Sequence, residues 1–405
     1  MRNDQATSSP AGPLDGVTVI DLGQIYNAPY ASLLMALAGA RVIKVEPRGG
    51  ENLRARGRVP GAGAPFVMLN SNKQAVTLNL KHPDGRALLR RMTDRADVLV
   101  ENFRPGVMAR LGLTGASLRE TNPRLVYASG SGFGSIGPYR DFPAMDVTIQ
   151  AMSGVMSVTG FPDSPPVKSG AVIGDFLGGI HLYGAILTAM YQRERTGLGV
   201  DVEVAMLDAV YPTLTSSLGL LFGGTGESPA RTGNRHSGLA ESPYNVYQAG
   251  DGGHVALFCV TDRHWAGLLK VMGRPDLAER DDLASRAGRV AHMDEVDDIV
   301  TAWAGSLQRD EVVGELRAAD VPCAPVRGVE EVAADPHLLE RGMLQPIEHP
   351  QFGPITVPAS PLRIGDYQAE VTPSPALGQD NEAVFSGWLG LSSEELRDLA
   401  EREII

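Results

Sequence analysis

The chain has 405 residues with a formal net charge of −12, and Gly (47) and Pro (28) are frequent enough to imply many tight turns. That length accommodates two domains, each with a sizeable core. The acidic balance excludes the broad basic surface that a nucleic-acid partner wants, though not a small anionic ligand on a local basic patch. The two cysteines, Cys259 and Cys323, show no ligand spacing and read as reduced thiols of a cytoplasmic protein. No run of about 18 apolar residues marks a membrane span. Residues 1–13 read as a flexible tail without the apolar core of a signal peptide.

Val17–Leu22 has the composition of a strand, Ala28–Leu37 that of a helix with Pro29 in its first turn and Gly39 after it, and Arg41–Val45 that of the next strand. Such a βαβ unit implies parallel strands and a right-handed crossover. Further strands are expected at 76–80, 96–100 and 125–128, separated by helices at 84–93 and near 106–111. The alternation predicts an α/β class, with a doubly wound, Rossmann-like large domain. The first βα turn lacks GxGxxG, so a standard dinucleotide site has little support.

Ligands of such sheets still lie beyond the carboxyl ends of the strands. Arg48, Arg54, Arg56 and Arg58 follow the second strand, Lys73 and Lys81 flank the third, and Arg104 and Arg110 follow the fourth. Any one of these cations reads as part of a solvated face. Cations at several successive strand ends of an acidic chain point instead to a polyphosphate ligand gripped by charge-assisted hydrogen bonds.

A Pro- and Gly-rich loop after Thr159 leads to Gly174-Asp175. Phe176–Tyr191 is apolar on nearly every side and reads as a buried helix, ended by Arg193, Arg195 and the run Thr196–Gly199. Val200–Val204 alternates as a strand. Asp175 therefore stands at a helix N-terminus, where N–H groups and the dipole favour an anion. Two roles fit this place: an N-cap, or a carboxylate nucleophile kept ionised by those N–H groups and left accessible by Gly174. Spacing does not separate them. N–H groups near Gly178-Gly179 are expected to stabilise oxyanions.

Beyond Leu207 the texture changes to a helical linker, a hairpin at 245–249 and 254–260, and helices at 263–272, 293–307 and 311–319. These predict a smaller α+β domain. A final helix opens on the capping box Ser392/Glu395. HExxH, Cys–His clusters, GxSxG and Walker loops are all missing, so metal and serine-nucleophile chemistry have no support.

The stretches PLDGVTVIDL, GARVIKVEPRGGE, LNSNKQAVTLNLK, ADVLVENFRPGVMARLGL, GDFLGGIHLYGAILTAMYQRERTGLGVDVEVAMLDAV and VPCAPV occur in that order. From Pro13 to Ile405 the chain resembles the family III CoA-transferases, a group that includes formyl-CoA and carnitine CoA-transferases and the α-methylacyl-CoA racemases. The resemblance implies that Asp175 is the catalytic nucleophile and that coenzyme A, as acyl-CoA substrate, contacts Gln24, Tyr26, Asn27, Leu78, Asn79, Leu80, Lys81, Asn102, Phe103, Arg104 and Arg110. Arg48 takes the role of the family Arg whose position Pro47 occupies, and Met145 and Asp146 complete the binding set.

The resemblance also implies an intertwined homodimer. Its large domain (14–206) and small domain (231–325) are joined by linkers at 207–230 and 326–344, and 345–405 returns to the large domain. The implied reaction moves CoA from an acyl-CoA thioester to a free carboxylic acid through aspartyl anhydride and aspartyl-CoA thioester intermediates, without ATP or metal. The formyl-CoA transferase glycine-rich flap is missing, which argues against formate and oxalate and leaves a small dicarboxylate such as succinate as the family-based donor. Two alternatives remain. The first is α-methylacyl-CoA racemase or epimerase activity, against which Met145 stands where that branch places a His. The second is a non-catalytic CoA-binding dimer.

Overall fold

A computed structural model describes residues 12–56, 63–224, 226–228 and 231–405. Most of the expected tail (1–11), the strand-end cation Arg58 and three linker positions (Thr225, Pro229 and Ala230) lie outside the described residues. The chain divides into two compact units: Met1–Ile149 with Ala171–Val210 and Ala333–Ile405, and Gln150–Gly170 with Tyr211–Val332. The segment Gln150–Gly170 thus belongs to the second unit, whereas the sequence reading places it in 14–206.

The first unit is built on six strands: β1 (Thr18–Asp21), β2 (Arg41–Glu46), β3 (Gln74–Thr77), β4 (Val98–Glu101), β5 (Val126–Ser131) and β6 (Asp201–Ala205). All pair in parallel, in the order β3-β2-β1-β4-β5-β6. Strands covered on both faces need apolar residues on both, and β4 is buried at every position. Helices α1 (Asn27–Ala36), α2 (Asn52–Ala55), α3 (Ala64–Asn70), α4 (Pro83–Thr93), α5 (Val107–Arg110), α6 (Gly115–Arg119), α7 (Asp146–Met152), α8 (Val155–Val158) and α9 (Ile173–Thr196) follow in chain order. On one face of the sheet, Val19, Val42 and Val100 pack with Leu34 of α1 and Leu182 and Ile186 of α9. On the other, Ile20, Ile43 and Leu99 pack with Leu89 and Met92 of α4 and with Phe385 and Ile404 from the C-terminal segment. Alternate residues of one strand serve opposite faces, as the period of two requires. This is the doubly wound, Rossmann-like arrangement expected.

Three local differences bear on function. Strand β3 ends at Thr77, so Leu78–Lys81 is loop rather than strand; Leu78 N–H donates to Glu46 O and Asn79 N–H to Ile404 O. Helix α9 starts at Ile173 with Val172 as its N-cap, so Asp175 is a first-turn residue and the N-cap role falls away. Nor is α9 buried all round. Gly174, Gly178, Leu182, Ile186 and Arg193 are buried, while Ile180 and Tyr191 are 46% and 69% exposed. By length and composition alone α9 meets the requirement for crossing a membrane, contrary to the sequence reading, but it lies against α1 and the sheet.

A hairpin of β10 (Leu344–His349) and β11 (Gly353–Pro358) completes the first unit, together with a helix at Ser393–Glu401 whose capping box forms as expected. The second unit holds an antiparallel sheet, β7 (Tyr244–Gln248), β8 (His254–Phe258) and β9 (Cys323–Pro325), in that order. Its core gathers Trp265, Leu268, Val296, Val300 and Leu316 around the buried Cys259.

Candidate active site

In a sheet of this order the chain leaves β1 and β4 in opposite directions, opening a crevice beyond their carboxyl ends. The two loops at that point are tied together. Gln24 N–H donates to Asn102 Oδ1 at 2.8 Å, and Asn102 Nδ2 donates to Gln24 O at 2.9 Å. A cavity of about 440 Å³ opens there, and its lining includes Gln24, Asn27, Phe103, Arg104, Met145 and Asp175. A second, of about 540 Å³, is lined by Pro47, Arg48, Leu78, Asn79, Leu80 and Lys81. Gln24, Phe103 and Val107 border both. Together they suit an elongated ligand with one end beside Arg48 and Lys81 and the other beside Asp175.

Most of the site residues expected from sequence thus line one cavity or the other. Tyr26, Arg110 and Asp146 line neither. Tyr26 precedes α1 and packs its ring 6.2 Å from that of Phe176. Arg110 is exposed in the last turn of α5. Asp146 acts from behind, its Oδ1 accepting the Gly174 N–H at 2.7 Å.

Burial and the nearby Asp146 raise the pKa of Asp175 to about 6. The first-turn N–H groups of α9 work in the opposite direction, and burial prevails. Gly178 and Gly179 lie past the four N–H groups that a helix start leaves unpaired, so they are not the oxyanion donors expected from sequence. Their role is spatial. A Cβ on Gly178 would stand 2.2 Å from Asn27 Nδ2, and one on Gly130 2.2 Å from Asn27 Oδ1. These two glycines make room for Asn27, which is 2% exposed and donates through Nδ2 to the Asp175 carbonyl at 3.3 Å. Asn27 Oδ1 is buried with no hydrogen-bond partner among the described residues.

Beneath the first βα turn lies a buried charge network that the sequence did not reveal. Lys73 Nζ donates to Asp21 at 2.9 Å, Pro29 O at 3.0 Å, Ser32 Oγ at 2.8 Å and Asn70 Oδ1 at 2.9 Å. Arg54 forks onto Glu46 at 2.7 and 2.8 Å and stacks 3.9 Å above the ring of Phe66. Lys73 and Arg54 are therefore committed to structure and are not ligand cations. Arg48 lines the second cavity but also pairs with Glu403 at 3.1 Å on the surface. Lys44, fully buried in β2, donates to Gly23 O at 2.8 Å. The one hint was its place between the apolar Ile43 and Val45.

Ile25 adopts φ 65°, a left-handed conformation that costs a β-branched residue about 1–3 kcal/mol. Its N–H donates to the buried Glu51 carboxylate at 3.0 Å. Glu101 at the end of β4 was also missed. It accepts from Phe103 N–H at 2.7 Å and Tyr127 OH at 3.2 Å, and burial pushes its pKa up to about 7.

The geometry is that of a half-buried carboxylate at one end of a long, partly basic cleft. Residues 14–381 match the family described as CoA-transferase family III. The chain is 38% identical to a formyl-CoA:oxalate CoA-transferase of Streptomyces coelicolor, over 98% of this chain and 100% of that one. It is 35% identical to a succinate–glutarate CoA-transferase of Agrobacterium fabrum, over 92% and 95% of the two chains. Among solved structures, a CAIB/BAIF family protein from Brucella suis superposes with a TM-score of 0.81 at 32% identity, covering 93% of this chain and 99% of that one. With a family match running from the first strand nearly to the last helix, this chain is an enzyme of CoA-transferase family III.

Proposed function

We propose that the enzyme transfers CoA from an acyl-CoA thioester to a free carboxylic acid, with Asp175 as the covalent nucleophile. The observation that carries this reading is the Asp175 carboxyl, half-buried in the first turn of α9 and lining the cavity that borders the Arg48–Lys81 cleft. The Asp175 carboxylate attacks the donor carbonyl and expels CoA thiolate, leaving a mixed anhydride. The thiolate attacks the aspartyl carbonyl, releasing the donor acid and forming an aspartyl-CoA thioester. The acceptor carboxylate then attacks that thioester, giving a second anhydride and thiolate. Attack of the thiolate on the acceptor carbonyl yields the new acyl-CoA and restores Asp175. One difficult exchange becomes four easier acyl transfers, none of which needs ATP.

Lys81, Arg48 and Arg104 are the cations proposed for the phosphate end of CoA. The acid is proposed to be a small dicarboxylate. Arg140 lines the Asp175 cavity, and its Nε donates to Asp141 at 3.2 Å, which leaves its two terminal nitrogens for a second carboxylate. The relatives named for oxalate, succinate and glutarate point the same way. The expectation against oxalate rests on the missing flap alone.

Pairing of two copies as an intertwined homodimer is supported by the apolar residues that α9 leaves exposed, Ile180 and Tyr191. The unbridged thiols of Cys259 and Cys323 suit a cytoplasmic setting. Racemisation is not favoured, since Met145 offers no proton relay beside Asp175.

Hydroxylamine added with an acyl-CoA should inactivate the enzyme and leave a hydroxamate on Asp175. Asp175→Asn should fold and bind CoA, yet lose transfer by about 10⁴-fold or more. An Asn variant with near wild-type turnover would sink the mechanism.

A further inference from the structure

The first βα turn is a part of the cavity wall built against a backbone preference. Ile25 lines the cavity in a left-handed conformation that β-branched residues avoid. Its N–H turns away from the sheet to Glu51. Glu51 is 3% exposed, and its own N–H donates to Glu46 Oε2 at 3.1 Å. The second carboxylate oxygen, Oε1, is buried without a hydrogen-bond partner among the described residues. Around it stand Lys44 and Lys73 as attracting charges and Glu46 and Asp21 as repelling ones, and burial drives its pKa up. An apolar residue of similar volume would avoid the desolvation that this carboxylate suffers. What the carboxylate supplies is an acceptor for Ile25.

On both sides the same turn is fastened to the lining of the Asp175 cavity. Gln24 is locked to Asn102, and Asn27 reaches the main chain of Asp175. Asn52, next to Glu51 in the chain, lines the cavity as well.

We propose that Glu51 is a positioning residue for the transfer reaction: by accepting the Ile25 N–H it holds the turn that sets Gln24 and Asn27 against the Asp175 end of the cavity. The inference rests on the transfer reading above. Glu51 lines neither cavity, so its effect is on alignment, to which acyl transfer between fixed partners is sensitive.

The test uses the full-length enzyme carrying Glu51→Leu, Glu51→Gln, Glu51→Asp, Ile25→Gly and the Glu51→Leu/Ile25→Gly pair. Transfer kinetics, CoA affinity by calorimetry and thermal melting are read for each. Glu51→Leu should lose about 100-fold in kcat while CoA affinity stays near wild type. Glu51→Gln keeps an oxygen for the Ile25 N–H and should retain most of kcat. Glycine adopts the left-handed conformation without support, so adding Ile25→Gly to Glu51→Leu should recover about tenfold.

A Glu51→Leu enzyme that melts earlier but keeps wild-type kcat overturns the positioning role, as does a double variant no faster than the single one. If Glu51→Leu does not fold, Glu51→Asp preserves the charge and withdraws the oxygen. It should lose about tenfold in kcat, and wild-type turnover there overturns the inference equally. The hydroxamate trap separates the two levels. A wild-type enzyme that traps nothing on Asp175 overturns the transfer reading and this inference with it. Trapping at the wild-type rate in Glu51→Leu overturns only the role of Glu51.

Discussion

Asp175 is the proposed nucleophile, and its surroundings disfavour the charged form it would need. Its pKa, raised to about 6 by burial and then by Asp146, places its ionisation within the working range of most enzymes. The proposed nucleophile is the carboxylate form, so kcat should rise with pH through about 6 and level above it. Asp146→Asn keeps an oxygen for the Gly174 N–H but removes the like charge, and the acidic limb should move to lower pH. A limb that stays in place would show that Asp146 does not act on Asp175. For stability the sign is the reverse of the usual carboxylate. The folded pKa lies above the unfolded value of 3.8, so Asp175 costs stability increasingly as pH climbs from about 4 through 6. Asp175→Asn should therefore melt higher than wild type at pH 7–8, and the gap should close near pH 4. Arg140 supplies a second test at this scale. Arg140→Gln should raise KM for a dicarboxylate by about 10–100-fold and leave KM for the acyl-CoA unchanged, because only a bidentate carboxylate contact is lost. An equal change in both values would place Arg140 outside the acid pocket.

At the scale of elements, the loop Leu78–Lys81 is held from two directions. Asn79 N–H reaches the C-terminal segment, while Gly85 at the start of α4 lies so close that a Cβ there would be 2.1 Å from Asn79 O. Gly85→Ala should push the loop off its seat, cost about 1–3 kcal/mol by overpacking and raise KM for acyl-CoA. A normal KM would detach the loop from the ligand. Lys73 fastens β1, α1 and α3 through Asp21, Ser32 and Asn70. Lys73→Met should lower stability in denaturant titrations by about 3–5 kcal/mol, since it leaves the Asp21 carboxylate buried and unbalanced.

These two positions also mark how far sequence reasoning reaches. The βαβ alternation, the hairpin of the second unit and the capping box at Ser392 were legible because each is written in a short window of residues. The grouping of Gln24, Asn102 and Asp175 was implied by the family resemblance instead, and no short window carries it. Lys73 and Arg54 were misread because a cation at a strand end looks the same whether it faces solvent or a carboxylate. For Lys73 that carboxylate, on Asp21, lies 52 residues away in the chain. The early end of β3 was hidden for a related reason. Val76–Leu80 has strand composition, but its partner β2 ends at Glu46, and from Asn79 the backbone bonds to Ile404 instead.

For the molecule as a whole, the proposed pairing predicts a dimer in light scattering at micromolar concentration. Tyr191→Glu should weaken it by placing a charge on the exposed face of α9. A stable monomer with full transfer activity would contradict the homodimer.

The first unit is also discontinuous, and that has a consequence for how the protein is made. Backbone N–H groups of Ala75 and Thr77, on the edge strand β3, donate to Asp380 and Asn381, and Asn79 waits for Ile404. A ribosome must therefore synthesise all of Tyr211–Val332 before Ala333–Ile405 emerges to close the edge of β3, a delay of about 6–24 s at roughly 5–20 residues per second. During that interval β3 presents an unpaired edge, a surface open to other nascent chains and to chaperones. Release of ribosome-bound chains stalled near residue 332 should yield an aggregation-prone product, whereas chains stalled beyond the last helix should be protected from protease.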